Sequence, residues 1–468
     1  MSKLFETHPG DDGLPGPERR LAVLVLVLGT LMAVIDTTMI NIALPTIAKD
    51  LGVSASRAVW VVSLFQVVCA AMLLLCASLS ELVSRRWLYI AGLAVFTLAA
   101  LGSALSTSLE MLLIFRALQG MGAAATLSIG PSLYRRIFPS RLLGAAMGLS
   151  ALVVAGGYAS GPTLGGAVLA MADWPWLFAL NVPLGLVALG VALRALPAEP
   201  RRRGGFDISG ALWSASMLAC FFLAMDSLGH GAAGWHVMVL VIGSVGSAWL
   251  FLRRQRRASH PLLPLSLFHE RRFSLAVLVS GLAFVGQGLT FVALSFLYQQ
   301  ERGYSPLMTA WLFTPWPLTI MLAGPLAGRL ADRVNPTLLS TLGLVVLLCG
   351  LMSLSLLASD SGIVDSLWRT ALCGLGFGLF QAPNNREMMS RVSKARSANA
   401  SGVMSTVRTV GQSLGVASMG VWLAAGLGSV QWSIWVACVA CGLAIVASLC
   451  RMTFSLSPTV IPPSSASD

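Results

Sequence analysis

The sequence predicts an all-α integral membrane protein of fourteen transmembrane helices, two six-helix halves with an inserted helix pair between them. Three observations predict it. Only 11% of the 468 residues are charged while 56% are hydrophobic, and mean hydropathy is +0.79, whereas a soluble domain carries about 25% charged residues. Charge gathers in short clusters between apolar runs of roughly 20 residues, the length that crosses a hydrocarbon core as a helix. The runs do not alternate as the roughly 10-residue strands of a membrane barrel would. Finally, the second half repeats the spacing of the first.

The elements follow in order. Residues 1–20, MSKLFETHPGDDGLPGPERR, are polar and rich in Gly and Pro and predict a disordered cytoplasmic tail. The apolar stretch after Arg20 is too long for a signal-peptide core, so 21–47 is the first helix. Spans follow at 58–80, 87–106, 109–134, 142–170 and 175–194, which complete a first half at 21–194. Segment 195–272 holds the inserted pair, 207–228 and 235–253, with its cytoplasmic linkers. The second half, 273–452, comprises 273–298, 307–328, 337–358, 364–388, 397–427 and 432–452, and 453–468 is a second cytoplasmic tail.

With the N-terminus cytoplasmic, all but six of the 31 Lys and Arg residues fall on the cytoplasmic side; Lys49, Arg57, Arg116, Arg302, Arg369 and Arg408 remain. This is the positive-inside asymmetry, and it puts both termini in the cytoplasm. The repeat fits that count. AGPLAGRLADRV (323–334) has a weaker copy in ASLSELVSRR (77–86), and Leu21 to Glu81 is 60 positions where Phe273 to Asp332 is 59. Parallel halves of this kind, with substrate near the midplane between them, mark a large class of secondary transporters.

Several function classes drop out. The net charge of +12 is spread over interhelical loops, which opposes a nucleic-acid stripe. The eight cysteines, including the Cys438–Cys441 pair, lie in or beside apolar runs and act as small hydrophobes. The five histidines lie outside the spans or at their edges, and no Walker loop is present. Nothing calls for an enzyme, a cofactor or a metal.

Within this frame IDTTMINIALP (35–45), RALQGMGAA (116–124), GYASGPTLGG (157–166) and WPWLFALNVPLG (174–185) resemble signatures of the major facilitator superfamily, specifically its fourteen-span drug:proton antiporter branch (EmrB/QacA-like). The resemblance covers nearly the whole chain after residue 18. It departs at Ala77, Glu81 and Ser84, where the family has Gly, Asp and Gly, and in a thirteenth helix that carries Arg408 and no acid, unlike members with late acidic residues. That last departure weighs against a dicationic substrate.

Asp36 interrupts an apolar run that begins at Leu21. An ionised Asp near a helix centre costs about 2.5–3.5 kcal/mol on insertion scales, so it calls for a use. The functional reading is a proton-exchanging site at which a cationic substrate and a proton compete; the alternative is a carboxylate that only bonds neighbouring helices through Thr37 or Asn41. Arg116, within the fourth helix, is a partner for a carboxylate or a proton-relay element as the resemblance implies, and so a second proton-coupling candidate, or else a basic side chain snorkelling to the nearby surface. Gly157, Gly161, Pro162, Gly165 and Gly166 form the antiporter motif, where small residues allow close helix approach and Pro162 bends the helix. Glu81 with Arg85, and Asp332 with Arg333, would latch one conformation or merely set topology. Trp311, Phe313 and Trp316, beside helix-breaking Pro315 and Pro317, could line a substrate cavity or sit at the outer interface. Asn41, Gln66, Gln119, Tyr158, Gln287 and Asn384 are polar candidates for the same cavity.

The expected function is a proton-coupled antiporter of the inner membrane that exports hydrophobic or amphipathic compounds. A dedicated exporter of one natural product, such as a siderophore or antibiotic, and a non-transporting receptor or scaffold are the alternatives. Its partners would be that small substrate, protons and lipid, with no nucleic acid, and a periplasmic adaptor where the host has an outer membrane.

Overall fold

In hydrocarbon every backbone N–H and C=O must find its partner within the segment, which leaves the helix as the element for such a sequence. The computed structural model describes the chain outside residues 1–5, 7, 9–10, 81–82, 198–206, 259–260, 264, 332, 359–360, 391–396 and 454–468. Its α-helices are α1 (Gly16–Asp50), α2 (Ala55–Leu79), α3 (Arg85–Ala104), α4 (Leu109–Ile137), α5 (Leu143–Met171), α6 (Pro175–Ala179), α7 (Asn181–Ala195), α8 (Ile208–Gly229) and α9 (Gly234–Arg257). Then come α10 (Arg271–Phe296), α11 (Pro306–Phe313), α12 (Pro315–Leu330), α13 (Pro336–Ser355), α14 (Ile363–Ser390), α15 (Ser397–Ala424) and α16 (Val430–Thr453).

Two spans are broken. α6 and α7 make one span, 175–195, and α11 and α12 another, 306–330. The second break falls at Thr314, where Pro315 and Pro317 withhold their N–H groups, as expected from their positions. Among the described residues thirteen spans qualify by length and hydropathy. α15, 28 residues long, is long enough to be a fourteenth but is made more polar by Arg408, Gln412 and Ser413. The chain is a multi-pass membrane protein.

One expectation needs correction at the N-terminus. α1 starts inside the segment expected to be a disordered tail, and the residues just before it are tied down. Leu14 N donates to the Ile137 carbonyl at 3.1 Å, Arg19 Nε and Nη2 donate to the Leu14 carbonyl, and Arg141 pairs with Asp11 at 2.8 Å. The polar composition hid a docked segment because its partners lie more than a hundred residues away.

In the first half α1 packs on α5 and α7, and α4 on α2 and α3; in the second, α10 packs on α15 and α16, and α14 on α12 and α13. The halves meet along α2 with α15 and along α5 with α11 and α12. α8 lies across α2 and α15, with α9 outside it. The inserted pair therefore covers one seam between the halves from without.

The two ends differ. At the end away from the basic loops, one apolar core runs through both halves, including Ile42, Ile47 and Phe178 with Leu294, Phe296 and Tyr298. Polar ties join it: Gln299 Nε2 donates to the Ile42 carbonyl at 2.7 Å, and the Thr163 and Thr314 hydroxyls lie 3.0 Å apart. At the basic end the cores are separate, one around Val25, Tyr89, Leu133 and Ile137, the other around Phe273, Met388 and Val403. The bundle is closed at one end and parted at the basic end.

Candidate functional site

Asp36 sits beyond the middle of α1 with no solvent exposure. Opposite it, α4 presents Arg116 and Gln119, three residues apart and so on one face. Arg116 Nη1 donates to Asp36 Oδ2 at 2.6 Å and to Gln119 Oε1 at 2.8 Å, while its Nε donates to the Val61 carbonyl of α2 at 2.9 Å. The second carboxylate oxygen accepts from Gln119 Nε2 and from Asn181 Nδ2, each at 3.3 Å. The guanidinium also lies 4.3 Å from the Phe65 ring centroid and 5.5 Å from that of Phe178, within cation–π range. Both side chains are fully buried.

Arg116 is thus paired rather than snorkelling. The structural alternative for Asp36 takes a different form from the one expected. Thr37 donates to its own helix at Ala33 O, and the Asn41 side-chain oxygen has no partner among the described residues; the carboxylate is held by α4 and α7 instead. Removing one member of a buried pair leaves the other charge uncompensated, which typically costs about 3–5 kcal/mol. Each charge here is the other's buried counter-charge.

The glycines of α5 press on the turn of α1 that carries Asp36. An added Cβ would lie 2.9 Å from Val34 Cγ1 at Gly157, 2.8 Å from Thr38 Cβ at Gly161 and 2.8 Å from Met39 Cγ at Gly165. At Gly166 it would meet Ala310 Cβ of α11, in the other half, at 2.5 Å. Pro162 sits between these contacts, within α5. The motif is therefore a close contact of α5 with Asp36's helix on one side and with the opposite half on the other.

Between the halves a cavity of about 710 Å³ extends toward the basic end, lined from α1, α2, α4, α5, α10, α12, α14 and α15. That is within the 300–1,000 Å³ usual for small-molecule sites. Its wall includes Tyr134, Tyr158, Phe284, Phe291, Trp316 and Phe377, the amides Gln287, Gln381 and Asn385, and Arg408. Toward the closed end Gln412 Nε2 donates to Gln287 Oε1 at 3.0 Å and to the Tyr158 hydroxyl at 3.3 Å, tying α15 and α10 to α5.

Of the expected cavity residues, Tyr158, Gln287 and Trp316 line it. The others are placed elsewhere. Gln119 belongs to the Asp36 cluster; Asn41 and Gln66 are buried outside the lining. Phe313 is packed behind the wall against Phe291, and Trp311, 56% exposed, faces outward from the bundle. Asn384 is turned away from the cavity that its neighbour Asn385 lines: its Oδ1 accepts from Arg451 Nη1 at 2.7 Å and its Nδ2 donates to Ala276 O. It joins a buried cluster at the basic end in which Glu387 lies 3.1 Å from Arg272 and 3.4 Å from Arg451. Asp36 itself does not line the cavity, so a substrate there does not touch the carboxylate in this conformation. Glu81 and Asp332 lie outside the described residues; Arg85 opens α3, and Arg333 follows α12 in the turn before α13.

Sequence reasoning missed Asn181, Gln412, Glu387 and Arg451. Asn181 had a usable signal, since it is a lone amide within the apolar run 175–194.

The model of the Major Facilitator Superfamily matches residues 26–416. The chain is 40% identical to the uncharacterized transporter YebQ of Escherichia coli, over 88% of this chain and 91% of that protein. It is 28% identical to the riboflavin transporter RibZ of Clostridioides difficile, over 88% and 89%. Against the multidrug efflux pump LfrA of Mycolicibacterium smegmatis identity is 31%, over 90% and 84%.

Proposed function

The chain belongs to the Major Facilitator Superfamily, and from that premise we propose that this transporter is a proton-coupled antiporter exporting hydrophobic or amphipathic compounds from the cytoplasm by alternating access. We place it in the fourteen-span drug:proton branch, in the inner membrane, with both termini and the basic end cytoplasmic. The cavity then opens inward, and 21–194, 195–272 and 273–452 are the first half, the inserted segment and the second half.

One observation carries the coupling: the buried Asp36–Arg116 pair stands on the α1 turn against which Gly157, Gly161 and Gly165 of α5 are packed. α5 also supplies Tyr158 and Ala155 to the cavity. Protonation of Asp36 from outside would discharge the pair and loosen α1 from α4; deprotonation inside would restore it. Substrate and proton then compete through the shared α1–α5 contact, without sharing one carboxylate. Coupling through a two-state packed contact of this kind is reciprocal: whatever the proton does to substrate affinity, substrate does to proton affinity.

The similarity to LfrA, which is named a multidrug efflux pump, supports export of several compounds. The similarity to a protein named a riboflavin transporter supports a second reading, transport of one dedicated compound. The test is a compound-susceptibility panel on cells with and without the gene, followed by flux of the affected compounds into proteoliposomes under an imposed pH gradient. Gradient-driven accumulation is the expected result; flux that ignores the gradient overturns the coupling.

A further inference from the structure

Six basic residues stand apart from the basic end, and the structure accounts for most of them. Arg57 pairs with Glu110 at 2.6 Å, Arg369 with Asp365 at 2.9 Å and Arg116 with Asp36 at 2.6 Å. Arg302 donates to the Ala358 and Ser361 carbonyls, and Lys49 is exposed at the end of α1. Arg408 is different. It lies near the middle of α15, eleven residues beyond Ser397, and among the described residues it has neither an ion-pair nor a hydrogen-bond partner.

Arg408 lines the central cavity, and it is the one charged side chain among the described residues that do. No carboxylate accompanies it there. Two further lining groups have no hydrogen-bond partner among the described residues: the indole N–H of Trp316, fully buried, which can only donate, and the Tyr134 hydroxyl, which can donate or accept. The amides toward the closed end are by contrast already engaged with one another. The one formal charge of this site is thus a cationic donor, set among aromatic walls and neutral polar groups. An unpaired guanidinium at membrane depth marks a substrate pathway and calls for a counter-charge, and Arg is suited to planar bidentate recognition of a carboxylate or similar anion.

We propose that the cavity takes aromatic, amphipathic anions, whose acidic group pairs with Arg408 while the ring system packs on Phe284, Phe291, Trp316 and Phe377. Cations of the same size are disfavoured. The assignment rests on the cavity being the transport site, and it names the charge of what is carried.

The test is a binding titration on the purified full-length protein in detergent, with two planar tricyclic probes of opposite charge: 9-anthracenecarboxylate and proflavine. Arg408→Gln, Arg408→Lys and Arg408→Glu variants are titrated alongside, each checked for monodispersity. The wild type should bind the carboxylate more tightly than the cation. Arg408→Gln should weaken carboxylate binding by about 10- to 100-fold, the range for losing a hydrogen bond to a charged group. Arg408→Lys should recover part of that loss, and Arg408→Glu should reverse the preference. Carboxylate affinity no greater than proflavine affinity in the wild type, absence of binding by both included, overturns the assignment; so does unchanged carboxylate binding in Arg408→Gln. The titration needs no gradient, so a failure of proton coupling leaves its outcome intact and the two proposals fall separately.

Discussion

Replacing Gly161 by alanine puts one methyl carbon where α1 and α5 touch. That carbon would lie 2.8 Å from Thr38 Cβ, closer still to Thr38 Oγ1, and 3.4 Å from the Ile35 carbonyl. Apolar carbons rest at about 3.5–4.0 Å, so the helices must part by roughly 1 Å at the turn beside Asp36. Thr38 cannot simply swing away, because its hydroxyl donates to the Val34 and Ile35 carbonyls, each at 3.1 Å. Overpacking of this kind typically costs about 1–3 kcal/mol. Alanine also gains close to 1 kcal/mol of helix propensity over glycine, which obscures the clash in a single mutant. Gly156 is the internal control: it lies on the same helix, and an added Cβ meets nothing within 4 Å. The difference between Gly156→Ala and Gly161→Ala isolates the clash at about 1–3 kcal/mol, equivalent to roughly 5- to 150-fold in an equilibrium. Dye efflux from cells, normalised to membrane abundance, should be near wild type for Gly156→Ala and reduced at least several-fold for Gly161→Ala. Adding Thr38→Ala should restore part of it. Equal efflux from both single mutants would refute the claim that the α1–α5 contact transmits anything.

Three further outcomes are expected. Reporter fusions ending near residues 55, 230 and 429 should report the outer side and those near 83, 200 and 262 the inner; an active cytoplasmic reporter at 230 contradicts the topology. In the inserted pair, Asp207 bonds Arg254, Gln255 and the Gly210 N–H, and Asp226 accepts from Trp60 at 2.6 Å, but no residue of α8 or α9 lines the cavity; Asp207→Asn and Asp226→Asn should lower yield or thermal stability while leaving transport per molecule within about 2-fold. The N-terminal clamp should be insensitive to pH in the physiological range. The Arg141 side chain and the His8 N–H hold the Asp11 carboxyl well below the usual carboxylate range, so the clamp's contribution is complete above the ordinary carboxylate value near 4 and fades only as pH falls below it. Limited proteolysis of the tail should therefore proceed equally from pH 8 to 5, and faster at every pH in Asp11→Asn.

The helices were legible because hydropathy over about 20 residues is a strong signal, and Asp36 because one acid in an apolar run is conspicuous. What could not be read was which way most side chains face. A helix that is apolar all round carries no stripe to orient it. Asn384 and Asn385 are sequence neighbours, yet one bonds Arg451 and the other lines the cavity. Trp311 and Trp316 likewise divide between the outer surface and the cavity wall across the break at Thr314. The pairing of Asp36 with Arg116 joins residues 80 positions apart, and only the packing of α1 on α4 reveals it. Arg408 was visible as an unusual charge, but its lack of a partner is a property of the fold.

On the coupling we propose, the proton acts at Asp36 and moves substrate through the α1–α5 contact. Asp36→Asn keeps the shape and can still accept from Arg116, but it cannot carry the exchanged proton. Wild type and mutant are compared in proteoliposomes, measuring substrate accumulation under an imposed pH gradient and substrate counterflow without one. The mutant should retain counterflow within a few-fold of wild type and lose gradient-driven accumulation. Full accumulation by Asp36→Asn would contradict it and leave the buried carboxylate a structural tie.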